Sequence, residues 1–526
     1  MFDGAILSWI FNIKPRAYTD TVCIARAVDG VEASVSLKAL SERYGVGEKG
    51  DEIQNTLDKH RQDFTDEELE RLGDYAVNDV DLTYDLFTIM AKGFPIKELK
   101  LIDVSLRMFV EPVLDLDLDL LEDHLNLTRQ RKEELLMDAR ASKEDLMSND
   151  KFAKLLAAYD VSPPKKISPT TGKETWAFAK SDEKFKHLLT HQDVRVQSLV
   201  AARLGNKSTL EETRTQRFID IAKRGLLPVP VRYYAAHTGR WGGDDKINLQ
   251  NLPSRGANAN TLKCCIIAPQ GYSIIDADSA QIEARVLAWL AEQDDLTEAF
   301  TNGEDVYKNM ASKIYGVAES LVTKDQRFVG KTTILGAGYG MGAQKFQNQL
   351  KTFGFDMELN EARRVIQVYR SANSQINTLW RDAQLFLKDG NTFGKRGVLG
   401  VEDRDIILPS GLRLRYDDLQ FIVNDGKYDF DYKTRRGRVR IYGGKVIENV
   451  CQAIARCIIG EQMLQISKRY RVVLTVHDSI ACCVKDEEVE EAQKYVEECM
   501  RTPPEWAEGL PIDCESGTGK SYGECD

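Results

Sequence analysis

The period of the apolar positions changes several times along the chain. From Thr65 to Met90, a TDEE start is followed by apolar residues at Leu69, Leu72, Ala76, Val80 and Leu82, which predicts one helix opened by a capping box. The first fifteen residues, MFDGAILSWIFNIKP, are mostly apolar and read as a buried element of a domain. Residues 96–230 are mainly helical and charged, broken by a polar loop at 162–175; two long helices around such a loop predict a protruding arm. LPVPVRYYAAHTG at 227–239 reads as strand and turn. From residue 261 onward strands and helices alternate. SIIDAD, IILPSGLRLRY, VRIYGG and VVLTVHDSIACCV carry strand patterns, and helical stretches lie between roughly 280 and 390, at 446–468 and at 486–501. There is no internal repeat and no low-complexity segment.

A length of 526 residues predicts three or four domains, at about 100–200 residues each. With 42% hydrophobic and 29% charged residues the balance is that of a soluble globular protein, which argues against disorder, a collagen-like fibre or a membrane span. No apolar run approaches the roughly 18 residues a spanning helix needs, and Asp3 stands where a signal peptide would be basic. The net charge of −11 gives no blanket attraction to nucleic acid but does not exclude it, because local patches decide binding. The ten cysteines include two adjacent pairs, Cys264-Cys265 and Cys482-Cys483, and no C-x-x-C. That spacing suits neither a disulfide framework nor zinc and predicts reduced thiols packed in a cytoplasmic protein.

Gly330-Lys331-Thr332 imitates the end of a phosphate-binding loop, but Asp325 stands where that loop needs glycine and the flanking residues read as helix. GAGYGMG follows no strand and is not a dinucleotide fingerprint. Two other features carry more chemistry. Ile274-Ile275-Asp276-Ala277-Asp278 is an apolar strand ending in acids, and Val476-His477-Asp478-Ser479 places another acid inside an apolar hairpin pattern. Acids in apolar strands are costly unless paired, hydrogen-bonded or metal-bound, and a carboxylate pair suits magnesium on a nucleotide. Between them Arg327, Lys331, Leu335 and Tyr339 recur every four residues. On a helix they form one stripe running from two cations to an aromatic, suited to a triphosphate and a stacked base.

These residues resemble the family A DNA polymerases, the group of bacterial DNA polymerase I and many phage replicative enzymes. DxxQIE at 278–283 resembles motif A, RxxxKxxxLGxxYG at 327–340 motif B, and VHDS at 476–479 motif C. His237-Thr-Gly-Arg240 with Asn248-Leu-Gln-Asn-Leu-Pro253 resembles the TGR…NLQNxP segment, and Glu448-Asn-Val-Cys-Gln452-Ala the segment carrying a minor-groove glutamine. The resemblance implies a multidomain α+β, α/β protein: a right-hand polymerase of palm, fingers and thumb, with a partial RNase H-like 3′–5′ exonuclease domain. It implies two Mg²⁺ held by Asp278, Asp478 and the backbone of Ser279, with Arg327 and Lys331 on the triphosphate and Lys331 as proton donor to pyrophosphate. Glu283 would exclude a ribose 2′-hydroxyl, Gln281 and Leu335 would line the nucleotide site, and Tyr339 would stack near the templating base. Arg240 and Gln452 would reach minor-groove acceptors, with Gln250, Asn251 and His477 also near the DNA. Leu335 stands where the family usually has Phe or Tyr, Ser279-Ala280 replaces Tyr-Ser, and Ser479 replaces a common Glu. The implied partners are primer–template DNA and deoxynucleoside triphosphates, with no membrane, in the cytoplasm of a bacterial host if the source is a phage or prophage.

Tyr75-Ala-Val-Asn-Asp79 resembles the exonuclease's third motif and Asp3 the carboxylate of its second; nothing here matches the first, D-x-E. The expectation is an N-terminally incomplete chain whose exonuclease is inactive. The expected division is 1–95 exonuclease-like, 96–230 thumb, 231–290 with 405–526 palm, and 291–404 fingers. Thumb cations Arg214, Arg217, Lys223 and Arg224, and the basic run 433–440, either contact phosphates or form solvated faces. Three other readings stay open: a single-subunit RNA polymerase, against which Glu283 argues, a stand-alone exonuclease, and a non-catalytic DNA-binding relic.

Overall fold

The computed structural model describes residues 1–168, 171–253, 260–424 and 427–525; part of the 162–175 loop falls outside them. Helix α1 (Asp66–Met90) opens with the capping box its sequence predicts: Glu68 N–H donates to Thr65 Oγ1, and Glu68 Oε2 accepts from Thr65 N–H. Only Leu82, Leu86 and Met90 are buried, a stripe at four-residue spacing, while Val80 faces solvent. The first residues depart from expectation. Phe2–Ile10 is helical, yet Ala5 alone is buried, and Phe2 and Ile10 are 74% and 69% exposed. Its anchor is Trp9, whose indole N–H donates to Val110 O at 2.8 Å and whose ring lies against Phe109. A two-turn helix resting on one neighbour buries one narrow face and leaves the rest in water.

Helices α2 (Ile96–Val110) and α3 (Leu118–Ala139) follow. The arm beyond them carries its own small core around Phe152, Phe178, Phe185 and Leu199, separate from the main one. Its helix α4 (Val194–Lys207) and the next, α5 (Leu210–Ala222), both pack on α3. Within 227–239, only Val231–Arg232 is strand, paired with Gly242–Gly243.

The centre is a four-stranded antiparallel sheet. Strand β1 (Tyr272–Ser279) lies between two others, so its Ile274, Ile275 and Ala277 are fully buried and its pattern is apolar rather than alternating. The hairpin of β2 (Arg471–Val476) and β3 (Ser479–Lys485) pairs through β3 with one edge of β1, and β4 (Cys514–Gly519) with the other. Helices α6 (Ile282–Leu290), α7 (Val306–Tyr315), α8 (Lys324–Ala337) and α9 (Ser374–Asp389) separate β1 from a three-stranded sheet, Gln420–Asn424, Lys427–Thr434 and Gly437–Ile441. Gly330-Lys331-Thr332 is mid-helix in α8, as its flanks predicted. Helix α10 (Gly443–Ile466) is buried nearly all round because α2, α6, α9 and α11 (Val489–Arg501) all pack on it. Thus α2, at the expected start of the thumb, lies against α10 and β2. All ten cysteines are unbridged, and all but Cys264 and Cys499 are buried. Among the described residues no helix is long and apolar enough to cross a membrane.

Gly443 fixes the crossing of α9 and α10. A Cβ there would stand 2.0 Å from the Trp380 carbonyl oxygen, a backbone atom that cannot swing aside. Gly443→Ala is expected to cost about 3 kcal/mol, at the upper end of overpacking penalties, and to lower the urea midpoint accordingly. An unchanged midpoint would mean that the two helices separate freely.

Candidate active site

The register of β1 brings the distant acids together. Ser479 pairs with Asp278 across β3–β1, and Glu515 pairs with Asp278 from the β4 side. The turn between β2 and β3 therefore delivers Asp478 beside Asp278, and Ser279 N–H donates to the Asp478 carbonyl at 3.1 Å. His477 adopts φ +53° in that turn, a conformation uncommon for a non-glycine residue. Gln250 holds it there: its Nε2 donates to Thr475 O and its Oε1 accepts from His477 N–H, both at 2.7 Å. Its amide thus grips the protein's own turn. Asn251 is exposed, and its carbonyl accepts from Arg214 Nη1 at 3.0 Å.

The carboxyl of Asp278 opens on the cleft. Burial of the group, followed by the charges of Asp478 and Glu515, raises its pKa above the usual carboxylate range. Arg240 offsets part of this crowding. Its Nη2 lies 3.2 and 3.3 Å from the two Asp478 oxygens and 2.6 Å from Glu283 Oε1. Glu283 also accepts from the Tyr339 hydroxyl at 3.2 Å. Burial first, and Glu283 among its charged neighbours, push the Tyr339 phenol well above its ordinary pKa, so it stays a donor. Gln281, at φ +51°, precedes α6 and lines the cleft, as does His477. The hydroxyl of Ser279 is buried, and Gln452 is half-buried on α10.

Helix α8 forms the facing wall, with Arg327, Lys331 and Leu335 along it and Tyr339 just beyond its end. Arg327 is held back by Asp305, Nε to Oδ2 at 2.7 Å, and stacks 5.3 Å from the Tyr307 ring centre. Lys331 is exposed, 5.8 Å from the same ring, and Leu335 is 44% exposed into the cleft. The space between the acids and α8 is about 730 Å³ and is lined by Asp278, Glu283, Leu335, Tyr339 and Asp478, among others.

Several of the other cations carry partners within the protein, most of them at its surface. Arg217 pairs with Asp245, Lys223 with Glu122, and Arg224 donates to Asp220 O. In the basic run, Arg438 is tied to Asp418 and Asp431, and Arg440 to Asp429; Lys433, Arg435 and Arg436 are exposed. In the N-terminal region, Lys49 donates to the Tyr75 hydroxyl at 2.5 Å and to the Asp79 carboxylate. Asp3 is exposed in the first helical turn. Among the described residues no group of three His, Cys, Asp or Glu side chains is arranged to hold a metal. Asp305, Tyr307, Glu515 and Lys49 went unnoticed in the sequence, since none belongs to a motif; the only signal was Asp305 as an N-cap ahead of α7.

An acid pair at the end of a central sheet, one on a strand and one in a hairpin turn, under a cationic helix, with a separate arm and an N-terminal unit, is the anatomy of a right-hand polymerase. The family profile of DNA polymerase family A matches residues 118–524, and that of a 3′–5′ exonuclease matches residues 1–94. The chain belongs to DNA polymerase family A. It is 28% identical over 343 residues to a DNA polymerase of Bacillus phage SP02, covering 56% of this chain and 51% of that one. It is 24% identical over 530 residues to DNA polymerase I of Borreliella burgdorferi, covering 98% of this chain and 54% of that one. The chain therefore spans about half the length of these curated relatives. The polymerase domain of Pol1 from M. smegmatis, solved with DNA primer–template and dNTP, superposes with a TM-score of 0.69 at 22% identity, covering 96% of this chain and 82% of that one. This likeness establishes the fold.

Proposed function

We propose that the chain is a DNA-directed DNA polymerase, extending a primer 3′-end with deoxynucleotides by two-metal phosphoryl transfer. The observation that carries this reading is the meeting of Asp278, near the end of β1, with Asp478, in the turn between β2 and β3, opposite α8, across a cleft of nucleotide size. The carboxylates fit divalent cations: Asp278 and Asp478 are neighbours, the charge of Asp478 helps raise the pKa of Asp278, and Arg240 lies against both oxygens of Asp478, a positive charge that a bound cation would replace. Asp278, Asp478 and the Ser279 backbone would hold two Mg²⁺, which when bound lower the pKa of the 3′-hydroxyl and neutralise the triphosphate. Arg240 swings from Asp478 to the duplex minor groove, where Gln452 also reaches. Arg327 and Lys331 orient the triphosphate, and Lys331 delivers a proton to departing pyrophosphate. Tyr339 stacks near the templating base, with Gln281 and Leu335 lining the nucleotide.

The division into an exonuclease-like unit, thumb, palm and fingers is part of the same proposal, and so is an inactive exonuclease. Lys49 neutralises Asp79 and occupies Tyr75, the two side chains that a metal-dependent hydrolysis would need free.

The test is a labelled primer on a longer template with Mg²⁺, with and without deoxynucleotides. Extension supports the polymerase, and its absence from folded protein overturns it. Primer shortening without nucleotides would show that the exonuclease is active. In the same assay Glu283→Ala is expected to raise ribonucleotide incorporation relative to deoxynucleotide by about 10- to 100-fold, the scale of one pocket contact. An unchanged ratio would remove Glu283 from sugar selection.

A further inference from the structure

A second ionic cluster lies wholly inside the molecule. Arg456 and Glu98 are 3% and 2% exposed. Both guanidinium Nη atoms donate to the two Glu98 oxygens, one of them at 2.7 Å. Glu98 also accepts from the Tyr233 hydroxyl at 2.6 Å. The remaining nitrogen, Nε, donates to the carbonyl of Gly239 at 3.1 Å. That carbonyl belongs to the peptide immediately before Arg240. The turn around it is tight: Gly239 sits at φ +77°, and a Cβ there would stand 2.7 Å from the Tyr234 ring.

A buried ion pair roughly breaks even against apolar packing, so stability alone is a weak reason for this one. Its position offers a better reason. Arg456 follows Gln452 by four residues on α10, so the two share a helix face. Its Nε reaches the turn that aims Arg240. One buried side chain therefore spans the two elements carrying the minor-groove groups.

We infer that Arg456, locked by Glu98, is a positioning residue that sets Arg240 against Gln452 and so governs how the primer terminus is checked. This rests on the polymerase reading. The chemistry it serves is recognition of acceptors common to all correctly paired duplex ends.

Arg456→Lys separates positioning from folding. A lysine can keep its charge against Glu98, but its single head cannot also hold the Gly239 carbonyl in the same fork. The expected result is a melting temperature close to wild type and a loss of about 10- to 100-fold in the preference for extending matched over mismatched primer ends, the scale set by a misplaced contact. In an Arg240→Ala background the same substitution is expected to change the preference no further. Losses that multiply, or an unchanged preference in Arg456→Lys, would overturn the inference. If Arg456→Lys does not fold, Glu98→Gln, which keeps the shape and releases the lock, goes through the same cycle against Arg240→Ala. Wild-type extension run alongside judges the polymerase reading separately. The cycle is also read as affinity for matched and mismatched primer–template by fluorescence anisotropy, which needs no catalysis.

Discussion

Asp478→Ala is expected to reduce primer extension by at least about a thousandfold, roughly 4 kcal/mol of barrier, while leaving the fold and the binding of primer–template intact. The side chain stands at a turn tip and faces the cleft, so truncating it opens no cavity in the core. The turn stays in place because its hydrogen bonds run through backbone and Gln250: Thr475 O, His477 N–H and the Asp478 carbonyl. What disappears is one of the two carboxylates suited to divalent cations and a partner of Arg240. Relief from Asp478's charge should also lower the pKa of Asp278, since that charge is one cause of its elevation. Asp278→Ala is expected to behave alike. The measurement is single-turnover extension at saturating DNA, with anisotropy for binding. Extension by Asp478→Ala within about tenfold of wild type would remove the residue from catalysis. DNA binding without extension by either protein would favour a non-catalytic relic.

Local chemistry made the acids legible in the sequence. Asp278 ends an apolar run and Asp478 breaks an apolar hairpin pattern, which is expensive enough to demand a reason, and the four-residue stripe on α8 needs only helical geometry to be seen. Long-range pairings were not legible. Gln250 and His477 are 227 residues apart, and nothing near Gln250 says that its amide will clamp that turn. Asp305 holds Arg327 across two helices, and Glu98 meets Arg456 from 358 residues away. Such pairs are specified by packing, which a periodicity reading does not see. The thumb cations show the same limit: the sequence left open whether they contact phosphates or form a solvated face, and gave no sign that Arg214 and Arg217 tie α5 to the segment around 245–251. The N-terminal segment failed for a different reason. Apolar composition predicted burial, but burial needs a partner surface, and there only Ala5 finds complete cover.

Lys331→Ala is expected to lower kcat/KM for an incoming deoxynucleotide by about 100- to 1000-fold, the range for removing one preorganised charge from a transition state. The loss should appear mainly in kcat if the ammonium delivers a proton to pyrophosphate, and mainly in KM if it only binds the triphosphate. Lys331 is the stronger choice than Arg327 because of their surroundings. Arg327 must leave Asp305 before it can hold a phosphate, so part of its interaction is already used in the unliganded protein. Among the described residues Lys331 has no carboxylate partner; it projects from the exposed side of α8, near only the Tyr307 ring. Arg327→Ala should therefore cost less, by about tenfold, and Asp305→Asn should recover affinity by freeing the guanidinium. Lys331→Arg separates the two roles: it keeps a cation on the stripe but cannot lose its proton near neutral pH. A variant that restores KM and leaves kcat low would assign Lys331 to proton delivery, whereas full recovery of both would reduce it to a phosphate grip. Wild-type kinetics in Lys331→Ala would sink the assignment of α8 as the triphosphate wall.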